Sequence, residues 1–310
     1  MWEGWYCPTR IETHLCGAIL VAKVLVTGAS GFIGCRVVSG LLEKGWHVLP
    51  VSLSGRGGLS LDLKNTEAVR RFLKRECPDH LIHLAWNVNA GYMESIENLE
   101  WVTASLELLK AFAENGGQRA VLAGSCIEYD WKYGFLSEDL TPLGSDSLYA
   151  VSKSALYKMA LAYAEQVGMS VAWGRIFFLY GEGEKRERLV PSLIDAFLKG
   201  DRPNLKYPHL RRDYLHADDV AAAFVALLSS ACTGAVNIAS GEAVRLGDIG
   251  RKIASLLGCQ APDWGEQRDT GAPTSCPLVL GDVRKLTEVV GFKPLVSWND
   301  GLSHMIKAQR

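Results

Sequence analysis

The segment VTGASGFIG, residues 26–34, places three glycines at intervals of three residues directly after the apolar run KVLV. The run is typical of a β-strand, and the following IGCRVVSGLLEKG has the apolar spacing of an amphipathic helix. Gly28 suits the tight turn out of the strand, Gly31 lets a pyrophosphate approach the backbone, and Gly34 permits close packing of helix on strand. The segment therefore predicts a turn that presents a helix amino terminus to a dinucleotide. A glycine turn without a ligand is the alternative.

Short strand-like runs alternate with helical patterns on both sides of this turn as far as residue 180. The predicted strands are HVLPVSL, HLIHLA, RAVLAGS and SVAWGRIFFLY, and the predicted helices are NTEAVRRFLKREC, ESIENLEWVTASLELLKAFAENG and SLYAVSKSALYKMALAYAEQVG. Such alternation predicts an α/β fold with a Rossmann-like, doubly wound parallel sheet, whose ligands lie at the carboxyl ends of the strands.

The pattern changes after residue 180, where helices are separated by irregular stretches without regular strand alternation. We predict an N-terminal extension at residues 1–22 and a Rossmann cofactor-binding domain at 23–180, to which residues 213–241 return. Residues 181–212 and 242–310 are predicted to form a smaller C-terminal substrate-binding lobe.

The amino-acid composition indicates which kinds of molecule the protein binds. The 310 residues carry 33 basic and 34 acidic side chains, so no overall charge attracts nucleic acid or a membrane surface. The eight cysteines form no CxxC pair, which indicates neither a metal site nor a disulfide framework and suits a cytoplasmic protein. We expect a small-molecule substrate.

The end of the second predicted strand bears on which dinucleotide is bound. A carboxylate there would grip the adenosine ribose and repel a 2′-phosphate. This chain has Ser52 instead, followed by Arg56 in a glycine-flanked loop. Arg56 suits a phosphate contact, so NADP is favoured and NAD is the alternative. Alternatively, Arg56 is a solvent-exposed loop residue that contacts no ligand.

A candidate catalytic group follows from YAVSK, which places Tyr149 and Lys153 one helical turn apart. A phenol has a pKa near 10, and a neighbouring ammonium lowers that pKa. By themselves, a Tyr and a Lys at this spacing often occur on solvent-exposed helices that have no catalytic role. Ser125 ends the preceding strand and supplies a hydroxyl that would hold a substrate oxygen.

In order and spacing these segments resemble the extended short-chain dehydrogenase/reductase family, the NAD(P)-dependent nucleotide-sugar epimerase, dehydratase and ketoreductase group. The resemblance covers about residues 23–305 and rests on TGASGFIG, LDL at 61–63, HLAW at 83–86, GSCIEYD at 124–130, YAVSK, GRIFFLYG at 174–181, RRDYLHADDVAAA at 211–223 and NIASG at 237–241. It implies that Ser125, Tyr149 and Lys153 are the catalytic residues. The cofactor residues it implies, beside those already named, are Ser30, Phe32, Ile33, Asp62, Leu63, Leu84, Ala85, Trp86 and Ile176.

Departures from the family pattern refine this expectation. Dehydratases of the family carry Asp and Glu after the catalytic hydroxyl, whereas this chain has Cys126 and Ile127, which argues against dehydration. Phe178 replaces an Asn that often contacts the substrate phosphate. Arg188 and Arg212 fall where the family holds a nucleotide diphosphate, with structural salt bridges as the alternative. The predicted substrate site is Asn87, Ser125, Cys126, Ile127, Phe178, Arg188 and Arg212.

Three functions are compatible with these residues. The leading hypothesis is NADPH-dependent reduction of a keto sugar, a nucleotide-linked 4-keto-6-deoxyhexose, with Tyr149 as the general acid. The second is an NAD-dependent nucleotide-sugar epimerase, which would use the same three residues. The third is a non-catalytic NADP-binding redox sensor. A homodimer through helices at 94–115 and 147–167 is also expected.

Overall fold

The structure is a computed structural model that describes residues 22–264 and 276–310. The predicted N-terminal extension lies outside the described residues except for its last position. The strands are β1 (Lys23–Thr27), β2 (His47–Ser52), β3 (Leu59–Ser60), β4 (His80–His83), β5 (Arg119–Ser125), β6 (Phe135–Leu136), β7 (Ser170–Ile176), β8 (Phe178–Tyr180), β9 (Arg211–His216), β10 (Gly234–Ile238), β11 (Ala243–Arg245) and β12 (Leu278–Gly281). The α-helices are α1 (Gly34–Glu43), α2 (Thr66–Glu76), α3 (Glu97–Glu114), α4 (Leu148–Val167), α5 (Leu189–Lys199), α6 (Ala217–Ser229), α7 (Leu246–Leu257) and α8 (Trp298–Gln309).

Seven strands form one parallel sheet in the order β10-β7-β5-β4-β1-β2-β3. The chain runs outward from β1 in both directions, so the order reverses between β1 and β4. This is the point at which a doubly wound sheet opens a crevice at the carboxyl ends of its strands. The predicted α/β fold with a Rossmann-like parallel sheet is confirmed.

Helices cover both faces of this sheet. Val24 and Val26 pack into the core shared with α1 and α6, while Leu25 packs on the opposite face with α2, α3 and α4. Successive side chains of a strand point to opposite faces, so an unbroken apolar strand is what a sheet covered on both sides requires. None of the helices in the described residues is long and apolar enough to cross a membrane.

A second, smaller sheet was not predicted. It has the order β11-β9-β12-β6, and β8 pairs with β9 beside it. The prediction of a single strand over residues 170–180 is wrong, because the chain leaves the large sheet after Ile176 and pairs with β9 from Phe178 onward. The irregular stretches predicted between the C-terminal helices contain the short strands β9, β11 and β12, which the sequence did not indicate. Both errors have the same cause, which is that strands of two to six residues carry too little periodicity to be read locally.

The small sheet and helices α5, α7 and α8 lie beyond the carboxyl ends of β5 and β7. Their own core contains Tyr180, Ile194, Tyr214, Ile253 and Leu302. Strand β9 belongs to the small sheet, whereas α6, which follows it directly, packs against the large one. The exact domain limits stay a prediction.

Candidate active site

The glycine turn between β1 and α1 has the geometry that its sequence predicts. Gly28 has a φ of 70°, and a Cβ at this position would meet the backbone nitrogen of Ala85 at 2.9 Å. A Cβ on Gly34 would lie 2.0 Å from the Gly28 carbonyl oxygen. Side chains are therefore excluded at both positions. The close approach of α1 to β1 depends on these two glycines.

The same turn offers donors to an anion. Gly31 is exposed, and the backbone N–H groups of Phe32, Ile33 and Gly34 have no acceptor within residues 22–264 and 276–310. Ser30 is exposed beside them. Free N–H groups at a helix amino terminus attract phosphate. The pyrophosphate of a dinucleotide therefore fits this turn.

A buried histidine ties the ends of β1 and β4 to α3. His83 Nδ1 is 2.7 Å from Thr27 Oγ1, and its Nε2 is 2.9 Å from Ser105 Oγ. Burial lowers the pKa of His83 to about 3, with the charge of Lys153 adding to the effect, so the imidazole is neutral. The amide of Leu84 donates to the Thr27 carbonyl at 3.2 Å. This network fixes the chain that carries Leu84, Ala85 and Trp86 beside the glycine turn.

The end of β2 presents a serine and an arginine, as the sequence predicts. Ser52 is buried, and its hydroxyl donates to the Arg56 carbonyl at 3.2 Å. The Arg56 side chain is exposed and makes no hydrogen bond or ion pair with any described residue. Asp62 is exposed and accepts from the Lys64 amide at 2.9 Å, while Leu63 is buried. Arg56 therefore has its guanidinium available to a ligand.

Ser125 and Tyr149 meet at the carboxyl end of the sheet. Ser125 is the last residue of β5, pairs with Ile176 of β7, and accepts from the Ile127 amide at 3.3 Å. Tyr149 stands in the first turn of α4, where its amide donates to the Met93 carbonyl at 2.9 Å. Its side chain is buried, and the Ser125 side chain lies close enough to lower the pKa of the phenol.

The acidity of Tyr149 differs from the sequence-based expectation. Burial raises the pKa of its phenol, and the nearby Ser125 side chain only opposes that rise. The ring is enclosed by Tyr92 and Trp86, with centroid distances of 4.9 and 6.1 Å. The prediction of a pKa lowered by Lys153 is thus wrong, and the pKa of Tyr149 is raised. The phenol is held in its protonated form.

Lys153 lies one turn further along α4 and is fully enclosed. Its Nζ donates to the Ala123 carbonyl at 2.9 Å and lies 3.7 Å from the centroid of the Trp86 ring. The Tyr149 ring centroid is 5.9 Å from the same nitrogen. Burial lowers the pKa of Lys153 to about 7, while the charge of Glu128 opposes this. The lysine side chain therefore changes its charge near neutral pH.

Glu128 is a buried structural carboxylate. It pairs with Arg175 at 2.8 Å, and both side chains are almost fully buried. Trp173 Nε1 donates to its two oxygens at 3.0 and 3.1 Å, and the Ser125 amide donates to Oε1 at 2.8 Å. These contacts support the exclusion of Glu128 as a catalytic acid. The neighbouring Cys126 is also buried, and burial raises the pKa of its thiol.

Arg212 is a buried cation without a carboxylate partner. Its guanidinium carbon lies 5.7 Å from the ring centroids of both Trp131 and Phe178. The side chain forms no ion pair with any described residue, and burial lowers its pKa. The adjacent Asp213 instead accepts from Ser240 and from backbone amides of residues 240, 241 and 281. The structure therefore removes the salt-bridge alternative for Arg212.

Arg188 directly precedes α5. Its side chain is exposed and lies close enough to Tyr92, whose ring contacts Tyr149, to oppose the rise that burial causes in the Tyr92 pKa. Its charge also counters the effect of burial on Glu184, whose pKa burial raises to about 7. No ion pair joins Arg188 to Glu187 among the described residues. Arg188, at the start of α5, therefore lies near Tyr92, which in turn contacts Tyr149.

Residues 24–239 match the family model described as the NAD dependent epimerase/dehydratase family. The chain belongs to this family. It is 26% identical over 309 residues to probable GDP-L-fucose synthase 1 of Oryza sativa subsp. japonica, which covers 92% of this chain and 91% of the relative. It is 26% identical to dTDP-4-dehydro-6-deoxy-D-allose reductase of Streptomyces bikiniensis, over 87% of this chain and 91% of the relative. Its structure resembles that of MoeE5 in complex with UDP-glucuronic acid and NAD, with a TM-score of 0.76, 28% identity and coverage of 93% and 98%.

Three features of this epimerase/dehydratase family member were not evident from its sequence. Tyr92 contacts Tyr149, and Trp131 stacks near Arg212, yet both lie in irregular segments without a periodic signal. Asn87, predicted to bind substrate, donates to the Glu97 carboxylate and accepts from the Asn89 amide. Both of its polar ends therefore already have protein partners.

A group of possible metal-ligand atoms lies elsewhere in this family member. Glu182, His216 and Asp218 bring one such atom each within 4.8 Å of one another. Arg36 already pairs with Asp218 at 2.6 Å and with Glu182 at 3.8 Å. The guanidinium therefore neutralises part of the charge that would attract a metal ion.

Proposed function

We propose that the protein reduces a keto sugar with NADPH, the substrate being a nucleotide-linked 4-keto-6-deoxyhexose. The observation that carries this proposal is the pairing of the half-buried Ser125 with the buried Tyr149, whose pKa is raised by burial, so that the phenol is protonated at neutral pH. Tyr149 gives its proton to the developing alkoxide, and Ser125 donates a hydrogen bond to the same oxygen. Lys153, when charged, stabilises the phenolate that remains. The bound nicotinamide supplies the hydride.

The state of Tyr149 favours reduction over epimerisation. An epimerase begins by oxidising the sugar, which requires a base to take a hydroxyl proton, whereas a reductase begins with an acid. With its pKa raised by burial, Tyr149 carries its proton at neutral pH, which is the form that a reductase requires at its first step. Cys126 and Ile127 give no acid for dehydration. The similarity to a 4-dehydro-6-deoxy sugar reductase agrees with this direction.

The cofactor is proposed to be NADP rather than NAD. Support comes from Arg56, whose side chain is exposed and unpaired among the described residues at the end of β2, and from Ser52 in place of an acid. An arginine at this place accommodates the 2′-phosphate. NAD is the alternative, since MoeE5 was crystallised with NAD.

The substrate is proposed to carry a nucleotide diphosphate. Arg212 is buried and has no carboxylate partner among the described residues. A buried guanidinium without a counter-charge lowers the stability of the fold, whereas a bound anion would neutralise it. Arg188 contributes a second positive charge, and both arginines act on the buried Tyr214. The two guanidinium groups suit the two phosphates of a nucleotide sugar. UDP-sugars bound to MoeE5 belong to this class.

A cytoplasmic homodimer is proposed for the assembly. Helices α3 and α4 lie side by side, and they expose apolar side chains that include Leu99, Val151 and Met159, each 43–50% exposed. An exposed apolar surface on paired helices suits a subunit interface.

The decisive experiment offers the purified protein NADPH together with 4-keto-6-deoxyhexoses linked to dTDP, GDP or UDP. Oxidation of NADPH with formation of the reduced sugar supports the proposal. Retention of tightly bound NAD through purification, with interconversion of a UDP-sugar and no use of added NADPH, would establish the epimerase instead. Binding of NADP without either reaction, together with full biological activity of Tyr149→Phe, would establish the redox sensor.

A further inference from the structure

The Lys153 ammonium is paired with an aromatic ring rather than with a carboxylate. Its Nζ is 3.7 Å from the centroid of the Trp86 ring and 2.9 Å from the Ala123 carbonyl oxygen. Within residues 22–264 and 276–310 the side chain forms no ion pair. A cation this close to an indole face is attracted by the ring quadrupole, and most strongly where water is excluded.

The other groups around Lys153 do not replace that ring. On its own helix the Tyr149 ring centroid is 5.9 Å away, and on β7 the Trp173 ring is equally distant. His83 of β4 is neutral. Glu128 attracts the ammonium, but its carboxylate already pairs with Arg175. Trp86 is therefore the nearest group that favours the charged form, apart from a single carbonyl.

Trp86 is itself held in place. Its Nε1 donates to Asn98 Oδ1 at 2.9 Å, and the buried Asn98 donates from Nδ2 to the carbonyls of Tyr92 and Ser95 at 2.7 and 2.9 Å. Trp101 stacks on the same ring with a centroid distance of 6.0 Å. The indole face is thus fixed toward Lys153 before any ligand binds.

We propose that Trp86 is a positioning residue, whose indole face holds Lys153 in its charged form beside Tyr149. The proposal rests on the function proposed above, because a charged Lys153 is what stabilises the Tyr149 phenolate after proton transfer. Burial already brings the pKa of Lys153 down to about 7. Loss of the ring removes a stabilising contact of the cation. The lysine then becomes neutral at a lower pH.

The test follows the titration of Lys153 by the NMR signal of its ¹³C-labelled ε carbon, assigned by its loss in Lys153→Arg. Trp86→Met fills much of the volume without an aromatic face, and Trp86→Phe keeps a weaker one. We expect the Lys153 pKa to fall by about 1.5 units in Trp86→Met, the size of a desolvated cation–π contact. The fall should be smaller in Trp86→Phe. The matched control, Trp101→Phe, changes the other ring that stacks on Trp86 and keeps the Trp86 indole itself, so it should leave the titration unchanged.

A Lys153 titration that is the same in Trp86→Met as in the wild type overturns the proposal. If Trp86→Met does not fold, Trp86→Phe decides alone, and an unchanged titration in it also overturns the proposal. In the supporting case the alkaline limb of the reduction rate, measured with NADPH at saturation, moves to lower pH by the same amount. The NMR titration requires no substrate. Failure of this inference is therefore distinguishable from failure of the proposed reduction, which the wild-type assay reports directly.

Discussion

The conversion of Glu128 to glutamine tests whether a buried ion pair supports the candidate site. Oε2 of Glu128 accepts from Arg175 at 2.8 Å, and Oε1 accepts from the Ser125 amide at 2.8 Å. Trp173 donates to both oxygens. In Glu128→Gln one carboxylate oxygen becomes an NH₂ group, which is a donor and faces the donors of Arg175, Trp173 or the Ser125 amide. The substitution also leaves the Arg175 guanidinium buried without a counter-charge.

The expected cost follows from the burial of the pair. The side chains of Glu128 and Arg175 are 0% and 2% exposed, so solvent does not screen either charge. Removal of one partner of such a pair costs about 3–5 kcal/mol. Since a domain of ordinary stability unfolds with about 5–15 kcal/mol, this loss is a large fraction of the total. We also expect Ser125 to lose its fixed backbone.

Urea denaturation of wild type and variant, followed by circular dichroism, measures this loss. Glu67→Gln is the matched control, because its partner Arg71 at 2.6 Å is exposed, and it should cost less than about 0.5 kcal/mol. Adding Arg175→Met to Glu128→Gln should restore part of the stability, since no uncompensated cation then remains. A single variant that unfolds with the free energy of the wild type would refute the assigned role of the pair.

Three further outcomes are expected. In Gly34→Ala the new Cβ would lie 2.0 Å from the Gly28 oxygen, so NADPH affinity measured by calorimetry should be lost and the melting temperature should fall. Arg56→Ala should weaken NADPH binding by about 10- to 100-fold, the loss of a charge-assisted hydrogen bond, and leave NADH binding unchanged; equal effects on both cofactors would contradict the 2′-phosphate role. The pKa of Lys153 is about 7 in the folded protein, against a usual value of 10.5. Between pH 7 and pH 10.5 the unfolded chain therefore binds more protons than the folded one, and the free energy of unfolding rises with pH in this range. Lys153→Met should lack this rise in urea titrations near pH 7 and near pH 9, and an equal slope in both proteins would contradict the lowered pKa.

The large sheet was predictable because its signals are local and repeated. Each of β1, β4 and β5 is an apolar run followed by a helix of regular spacing, and Gly28 and Gly34 mark the turn between β1 and α1. The small sheet was not predictable. Its strands are short and pair residues far apart in the chain, as Arg212 pairs with Val279. No local pattern records such pairing.

The candidate site was predictable in its residues and only partly in its chemistry. Ser125, Tyr149 and Lys153 are brought to the same end of the sheet, as their positions after β5 and in α4 predict. The sign of the Tyr149 pKa shift was wrong, because it depends on how completely Tyr92 and Trp86 exclude water. Spacing along a helix shows which groups are near one another. It does not show how deeply they are buried.

The most direct test of the central claim is the reduction rate of Tyr149→Phe, measured by NADPH oxidation in single turnover with a nucleotide-linked 4-keto-6-deoxyhexose. Phenylalanine keeps the ring that packs between Tyr92 and Trp86 and removes the hydroxyl group that carries the transferable proton. The rate should fall by about 10²- to 10⁴-fold, while the Kd for NADPH stays that of the wild type. A variant that reduces the sugar at the wild-type rate would contradict the role of Tyr149 as the acid.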